Sequence, residues 1–239
     1  MKLTVLGPGC WGLTLAWLMN DNFEEIVVWG RECDLNDELV NNKHCSKPLE
    51  VQLDKKVEIT SDLKNAIDGA DIILSVVATS GVRSVCEQLK AAGIKPEQPL
   101  VNASKGLELN TLMRMSEVIK DVLPEQKIVI LSGPTLAKEV LQGKPTAASV
   151  ACEDMEVAEF VQKACNVPNR FRLYTNSDVI GVELGGSLKN VIAIASGFAH
   201  TMELGDNCMG TLLTRGMAEI VRISVKLGAK PSTLYGLSG

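Results

Sequence analysis

The chain has no long basic run, and its net charge is −5. Nucleic acid and anionic membrane surfaces are therefore not expected as partners. Any anionic ligand must be held by local positive groups rather than by a global field. No apolar stretch approaches the ~20 residues of a membrane span, so no membrane insertion is expected. The N-terminus runs straight into a strand-like segment, without a basic region and a signal-type apolar core, which points to a cytoplasmic location. The seven cysteines are odd in number, include no CxxC pair and match no zinc spacing. Reduced thiols in a cytosolic protein account for them. Only two histidines are present, His44 and His200, too few for a histidine-based metal site, and no metal is expected. Internal repeats and low-complexity segments are also missing.

What remains is an ordinary globular composition, 46% apolar and 22% charged, in a chain of 239 residues. That length suffices for one or two domains. Over residues 1–150, short apolar runs alternate with helical patterns. Strands are predicted at Leu3–Leu6, Glu25–Trp29, Ile72–Val77, Pro99–Asn102, Lys127–Leu131 and Ala147–Ala151. They are nearly uninterrupted runs rich in Val and Ile, as strands covered by helices on both faces require. Helices are predicted at Trp11–Asn20, Asp34–Asn41, Asp62–Asp68, Val82–Ala91 and Thr111–Asp121. The alternation predicts an α/β fold, a Rossmann-like doubly wound parallel sheet. Right-handed crossovers then bring all strand C-terminal ends, and any ligand, to one edge.

Two segments depart from this rhythm. Ser46–Ile59, with Pro48 and short alternating runs, reads as an excursion or small hairpin. From Val182 to Lys226 the pattern is almost entirely helical. The organisation expected is a dinucleotide-binding domain over 1–180 and the N-terminal part of a helical substrate domain over 181–239. A helical part of about sixty residues is short for an independent core. The chain also stops in a glycine-rich stretch, Tyr235-Gly-Leu-Ser-Gly239, that would ordinarily lead onward. A C-terminally truncated, incomplete helical domain is expected.

The first strand leads into Gly7-x-Gly9-x-x-Gly12, and an apolar helical stretch follows. Each glycine has its own task in dinucleotide binding. Gly7 permits the turn out of the strand, Gly9 lets backbone approach a pyrophosphate, and Gly12 lets the helix pack on the sheet. The helix start then offers free N–H groups to the phosphates. Cys10, inside this loop, reads as a small residue filling a tight turn. The second strand ends in Gly30-Arg31-Glu32. An acidic residue near this point bonds a ribose 2′-hydroxyl, whereas an arginine accommodates a 2′-phosphate. Arg31 comes first, which favours NADP, or use of both NADP and NAD. The plainer alternative is a solvated surface charge.

Three later stretches carry candidate chemistry. In Ser104-Lys105-Gly106, a lysine at a strand's C-terminal edge can hold a substrate oxygen or phosphate as a point charge; a solvent-facing loop lysine is the other reading. Ser132-Gly133-Pro134-Thr135 opens a helix, either as a ligand-contacting helix start or as a simple cap. Gly181, Gly185 and Gly186 sit in an otherwise helical run, at about 1 kcal/mol each relative to alanine. Something must pack closely against them. Lys189 and Asn190 interrupt an apolar surface. A buried Lys189 would have a lowered pKa and could donate or accept a proton, whereas a solvated helix lysine is the commoner case.

These stretches, in this order, resemble the bacterial-type NAD(P)-dependent glycerol-3-phosphate dehydrogenases. The matching segments are GPGCWG (7–12), VVWGR (27–31), SKGLE (104–108), SGPTLAKEV (132–140), GVELGGSLKNVIAIASG (181–197) and NCMGTLLTRGMAEI (207–220). The resemblance implies interconversion of sn-glycerol 3-phosphate and dihydroxyacetone phosphate with NADP or NAD, supplying phospholipid synthesis. Carried over by position, Gly7, Gly9, Gly12, Cys10, Trp11, Arg31 and Ala137 would contact the cofactor. Lys105 would touch cofactor and substrate, and Gly133 and Thr135 the substrate. Lys189 would be the catalytic proton donor and acceptor at the C2 oxygen. The expected partner is a small phosphorylated substrate, with a homodimer allowed. Thr135 stands where the family usually has serine. The family's later Gly-Asp and Ser-Arg-Asn segments supply an acidic partner for the lysine and a phosphate-clamping arginine. Neither follows here, so weak cofactor binding and poor turnover are expected. The alternatives are a non-catalytic nucleotide-binding module and a dehydrogenase of the 6-phosphogluconate or ketopantoate type.

Overall fold

The computed structural model describes residues 1–237. The chain runs β1 (Lys2–Leu6), α1 (Cys10–Leu18), β2 (Glu25–Trp29), α2 (Asp37–Asn42), then a small hairpin of β3 (His44–Cys45) and β4 (Val51–Gln52). It continues through β5 (Glu58–Thr60), α3 (Leu63–Ile67), β6 (Ile72–Ser75), α4 (Val82–Ala92), β7 (Leu100–Asn102), α5 (Met115–Val122) and β8 (Ile128–Ser132). Next come α6 (Ala137–Leu141), β9 (Thr146–Ala151), α7 (Met155–Cys165) and β10 (Phe171–Asn176). Three helices end the described chain: α8 (Val179–Thr201), α9 (Gly205–Lys226) and α10 (Pro231–Leu234).

Eight strands form one sheet in the order β10-β9-β8-β7-β6-β1-β2-β5. The order reverses at β1, which pairs in parallel with β2 on one side and β6 on the other. Crevices of this kind, at the carboxyl ends of strands beside a reversal, are where such sheets bind ligands. Strand residues alternate between two covered faces. In β2, Ile26 and Val28 join the layer that includes α1 and α7, whereas Val27 and Trp29 join the layer of α3, α4 and α5. Both faces are therefore apolar, which explains the uninterrupted runs in the sequence.

The sheet departs from expectation in two ways. It is not wholly parallel, because β9 pairs antiparallel to β8. The chain leaves β8, lays α6 against α1 at the same edge, and re-enters from that edge instead of crossing over. Two strands were also not foreseen. β5 is only three residues long with one buried side chain, and β10 alternates buried and exposed residues. The helix α7, with buried Val157, Ala158, Val161 and Cys165, was likewise unread. The excursion at 46–59 is a hairpin, as expected, pairing His44 with Gln52 and Cys45 with Val51, and its tail supplies β5.

By length and composition alone, α8 is long and apolar enough to cross a membrane, contrary to the sequence reading. Its first half is instead committed to the sheet. Gly181 to Gly186 are buried, and Val182 packs with Ile130 and Ala151. The second half pairs with α9 and leaves Val191, Ile194, Phe198 and Met202 exposed.

Asp178 fixes where α8 begins. One carboxylate oxygen accepts from the Gly181 N–H at 2.9 Å, and the other accepts from the Lys230 N–H at 2.8 Å. The side chain is buried and ties the helix start to the turn before α10. A Cβ at Gly181 would lie 2.2 Å from that carboxylate, so the cap fits only glycine there. Removing a buried cap strands two N–H donors. Asp178→Ala should lower stability by about 2–3 kcal/mol, read from the midpoint of urea unfolding.

Candidate active site

The glycine loop is built as its spacing demands. Gly7 has φ +108°, a conformation side chains disfavour, and a Cβ there would stand 3.0 Å from the Val76 carbonyl oxygen. A Cβ at Gly12 would lie 2.0 Å from the Gly7 carbonyl oxygen. The turn and the first helical residues therefore nest against each other. At Gly9 the same construction meets no atom within 4 Å, so the loop is open on its outer side. Gly9 is the N-cap of α1 and no side chain caps the helix, leaving first-turn N–H groups available. An open cradle beneath an uncapped helix start fits a dinucleotide pyrophosphate. Cys10 and Trp11 open α1; the Trp11 ring meets Phe171 edge-on at 6.4 Å between centroids.

Gly30 and Arg31 adjoin this loop. A Cβ at Gly30 would lie 2.7 Å from the Pro8 ring, so the end of β2 presses directly on the glycine turn. Arg31 is exposed and paired with Asp34.

Lys105 lies at the sheet's C-terminal edge, within electrostatic reach of Lys189 on α8. Lys105 follows β7 and donates to the Gly133 carbonyl at 3.1 Å and to Thr135 Oγ1 at 3.3 Å. Its loop is held from both sides. The Thr79 hydroxyl donates to the Lys105 carbonyl at 2.8 Å, and the Gly106 N–H donates to Ser187 Oγ on α8 at 2.9 Å. Arg83 grips Glu108 at the end of the same loop; that guanidinium, helped by Thr111, pulls the Glu108 carboxyl down to about 2.

Lys189 is half-buried on α8, two residues beyond Ser187. Among the described residues its ammonium has no hydrogen-bond or ion-pair partner. Burial, and then the charge of Lys189, push the Lys105 amine down to about 8. Burial also holds Lys189 below the ordinary lysine value. Two desolvated amines without a carboxylate beside them form a site for an anion. Beneath them, Ser132 Oγ and Asn102 Oδ1 are buried without a partner.

Close approach of α8 makes this arrangement. A Cβ at Gly186 would lie 2.3 Å from Ser132 Oγ and 3.9 Å from Lys105 Cδ. The glycines read as packing residues thus have a named neighbour. Pro134 and Thr135 differ from expectation, since α6 begins only at Ala137 and the two lie in the preceding turn. Ala137, opening α6, stands where that helix packs on α1.

The sequence reading missed the clamp that holds α8 down. Glu183 is buried; it accepts from Arg114 Nη1 at 2.6 Å, from the Ser116 N–H at 2.8 Å and from the Ser116 hydroxyl. Burial pushes its carboxyl up, against the pull of Ser116 and Arg114. Glu183 was visible as a lone acid in an apolar run, but its partners lie on α5 rather than on its own helix. A cavity of about 320 Å³ beside this clamp opens at the opposite sheet edge and touches neither lysine.

The family model described as the NAD-dependent glycerol-3-phosphate dehydrogenase N-terminus matches residues 2–158, and its C-terminus counterpart matches residues 178–239. The chain belongs to this family. It is 44% identical over 239 residues to glycerol-3-phosphate dehydrogenase (NAD(P)+) of Thermoanaerobacter sp. (strain X514), covering 100% of this chain and 72% of that one. The like-named protein of Lacticaseibacillus casei (strain BL23) is 45% identical, with 100% and 70% covered. The crystal structure of glycerol-3-phosphate dehydrogenase from Coxiella burnetii superimposes with a TM-score of 0.89 at 33% identity, over 100% of this chain and 73% of that one.

The amine pair gives this family member an expected pH signature. Lys105 is charged below about pH 8 and neutral above it, so anion affinity is full below that value and falls as pH rises through it. An ordinary lysine would keep its charge to about 10.4. Sulfate keeps a constant charge over this range and isolates the protein's titration. Calorimetry should show sulfate binding weakened about tenfold between about pH 7.5 and 9.5. Equal affinities would show that Lys105 titrates normally.

Proposed function

We infer that this chain interconverts sn-glycerol 3-phosphate and dihydroxyacetone phosphate with NAD(P)(H). The observation that carries this reading is the Lys105 amine held at the Gly133 carbonyl and the Thr135 hydroxyl, with the charge of Lys189 near it, beside a glycine loop built for a dinucleotide. In this reading Gly7, Gly9, Gly12 and the start of α1 hold the pyrophosphate, with Cys10, Trp11, Arg31 and Ala137 around the rest of the cofactor. Lys105 bridges cofactor and substrate. Gly133 and Thr135 line the substrate side.

A bound nicotinamide supplies or accepts the hydride at C2. The remaining work falls to the amines. In ketone reduction, Lys189 Nζ gives its proton to the C2 oxygen as negative charge gathers there. In alcohol oxidation, the neutral amine takes that proton back. Burial lowers the Lys189 pKa, which brings its neutral form within closer reach than in an exposed lysine. Lys105 adds a second positive charge next to the developing alkoxide, and in a half-buried setting that charge is weakly screened.

The same reading places the protein in the cytoplasm, feeding phospholipid synthesis with glycerol 3-phosphate. A homodimer is compatible with the apolar side chains that α8 exposes. Those exposed side chains, and the lack of an acidic partner for Lys189 among the described residues, support slow turnover by these residues alone.

The test is oxidation of NADPH or NADH dependent on dihydroxyacetone phosphate. Lys189→Ala should lower the rate about 100-fold or more while leaving NADPH affinity intact. Dihydroxyacetone without its phosphate should give no rate. A rate that survives Lys189→Ala would remove that amine from the chemistry. Preference for a 6-phosphogluconate- or ketopantoate-type substrate would favour the alternative reading.

A further inference from the structure

The end of β2 holds both devices that sheets of this kind use to read the adenosine ribose, and they hold each other. Arg31 lies directly beside the glycine turn, because Gly30 presses on Pro8. Its guanidinium meets Asp34 in a two-point fork, Nε to Oδ2 at 2.7 Å and Nη2 to Oδ1 at 2.8 Å. The geometry is further fixed by the backbone. The Arg31 N–H donates to Asp34 Oδ2 at 3.3 Å, and the Asp34 N–H donates to the Arg31 carbonyl at 2.8 Å. The single turn of Glu32–Asp34 thus returns the carboxylate onto the arginine.

An arginine at this place attracts a 2′-phosphate, and a carboxylate attracts a 2′-hydroxyl and repels a 2′-phosphate. In this fork-to-fork pair the Nε and Nη2 donors are engaged by the carboxylate, which leaves Nη1 with the Asp34 charge close beside it. To take a 2′-phosphate, Arg31 must open or share the pair, with the Asp34 charge close to the incoming dianion. To take a 2′-hydroxyl, nothing need move. Arg31 is 66% exposed and Asp34 31% exposed in their side chains, so opening is inexpensive and the discrimination is modest.

We propose that Asp34 is the specificity-determining residue for the cofactor. By engaging Arg31, it holds the chain in a form that binds NADH readily and admits NADPH at a penalty. This rests on the dinucleotide-binding reading above and deepens it. The sequence alone favoured NADP from Arg31; the pairing shows that the arginine is not free to act alone. Glu32, the neighbouring acid, forms no such pair and is not the discriminating group.

The experiment measures binding, not turnover. NADPH and NADH are titrated against the 239-residue chain, and the dissociation constants are read from nicotinamide fluorescence. Asp34→Asn keeps the side chain's size and removes its charge. It should tighten NADPH about fivefold relative to NADH, the scale of one exposed charge pair. Arg31→Gln should shift the ratio the other way, and adding Asp34→Asn to Arg31→Gln should recover less than Asp34→Asn gives alone. 2′,5′-ADP, carrying the 2′-phosphate without nicotinamide, should show the same Asp34→Asn gain as a competitor. An unchanged NADPH-to-NADH ratio in Asp34→Asn, or an equal change for both, overturns the proposal. Binding of neither dinucleotide by the unaltered chain overturns the cofactor reading and this inference with it.

Discussion

The approach of Gly186 to Ser132 sets the distance between the helical part of the chain and the end of the sheet. Any side chain there would collide at 2.3 Å, and α8 would have to lift away. Lifting would carry Lys189 off Lys105 and part the Ser187–Gly106 hydrogen bond. The clamp of Glu183 on Arg114 and Ser116 enforces the same approach from further back along α8. A glycine contact and a buried ion pair, neither of which touches a ligand, therefore place the two amines. The helix is amphipathic in an unusual sense. Its first turns pack on the sheet, and its middle carries the half-buried Lys189.

The charge arrangement follows from that placement. The chain as a whole is acidic, and its field repels anions. Attraction must come from a local site, and the lysine pair supplies it. Holding two ammonium groups together away from water is unfavourable, and the lowered value of Lys105 is the measure of that strain. An anion relieves it. The same lowering makes an amine a usable proton carrier near neutral pH, so binding and proton transfer draw on one electrostatic arrangement. Lys105 has some compensation from the Gly133 carbonyl and Thr135 hydroxyl; Lys189 has none among the described residues, which leaves it the more available to a substrate oxygen.

Much of this was legible in order along the chain. The glycine spacing foretold Gly7, Gly9 and Gly12 because each role is a backbone constraint that only glycine meets. The apolar β1, β2 and β6 were readable because burial on both faces erases alternation. β5 escaped because its three residues carry one buried side chain, too little pattern to see, and β10 because its buried and exposed residues alternate, unlike the uninterrupted apolar runs of the central strands. The reversal of β9 was hidden, since its sequence looks the same in either direction and the difference lies in where α6 goes. Partners across space were the main loss. Glu183 stands in an apolar run, but its partners Arg114 and Ser116, at the start of α5, lie far off in sequence. Arg31 was weighed against Glu32, while its actual partner, Asp34, sits one turn on. Sequence spacing reveals neighbours on one element; it does not reveal which element comes to meet it.

The two cationic sites differ in a way that bears on how this family member can vary. At the ribose end, arginine and carboxylate are exposed and satisfied by each other. Water screens them, and the pair contributes little to stability. Changing either residue alters little but cofactor preference. At the other end, the amines are partly desolvated with no carboxylate beside them, and Lys189 rides on a helix packed closely against Ser132. There an alteration reaches packing, charge and proton transfer together. Single substitutions at the exposed pair therefore cost the fold little, whereas substitutions around the amines disturb the close approach of Gly186 to Ser132. That asymmetry lets the chain carry mixed charge signals at the end of β2, an arginine and two acids within four residues, beside a tightly packed region around the lysines.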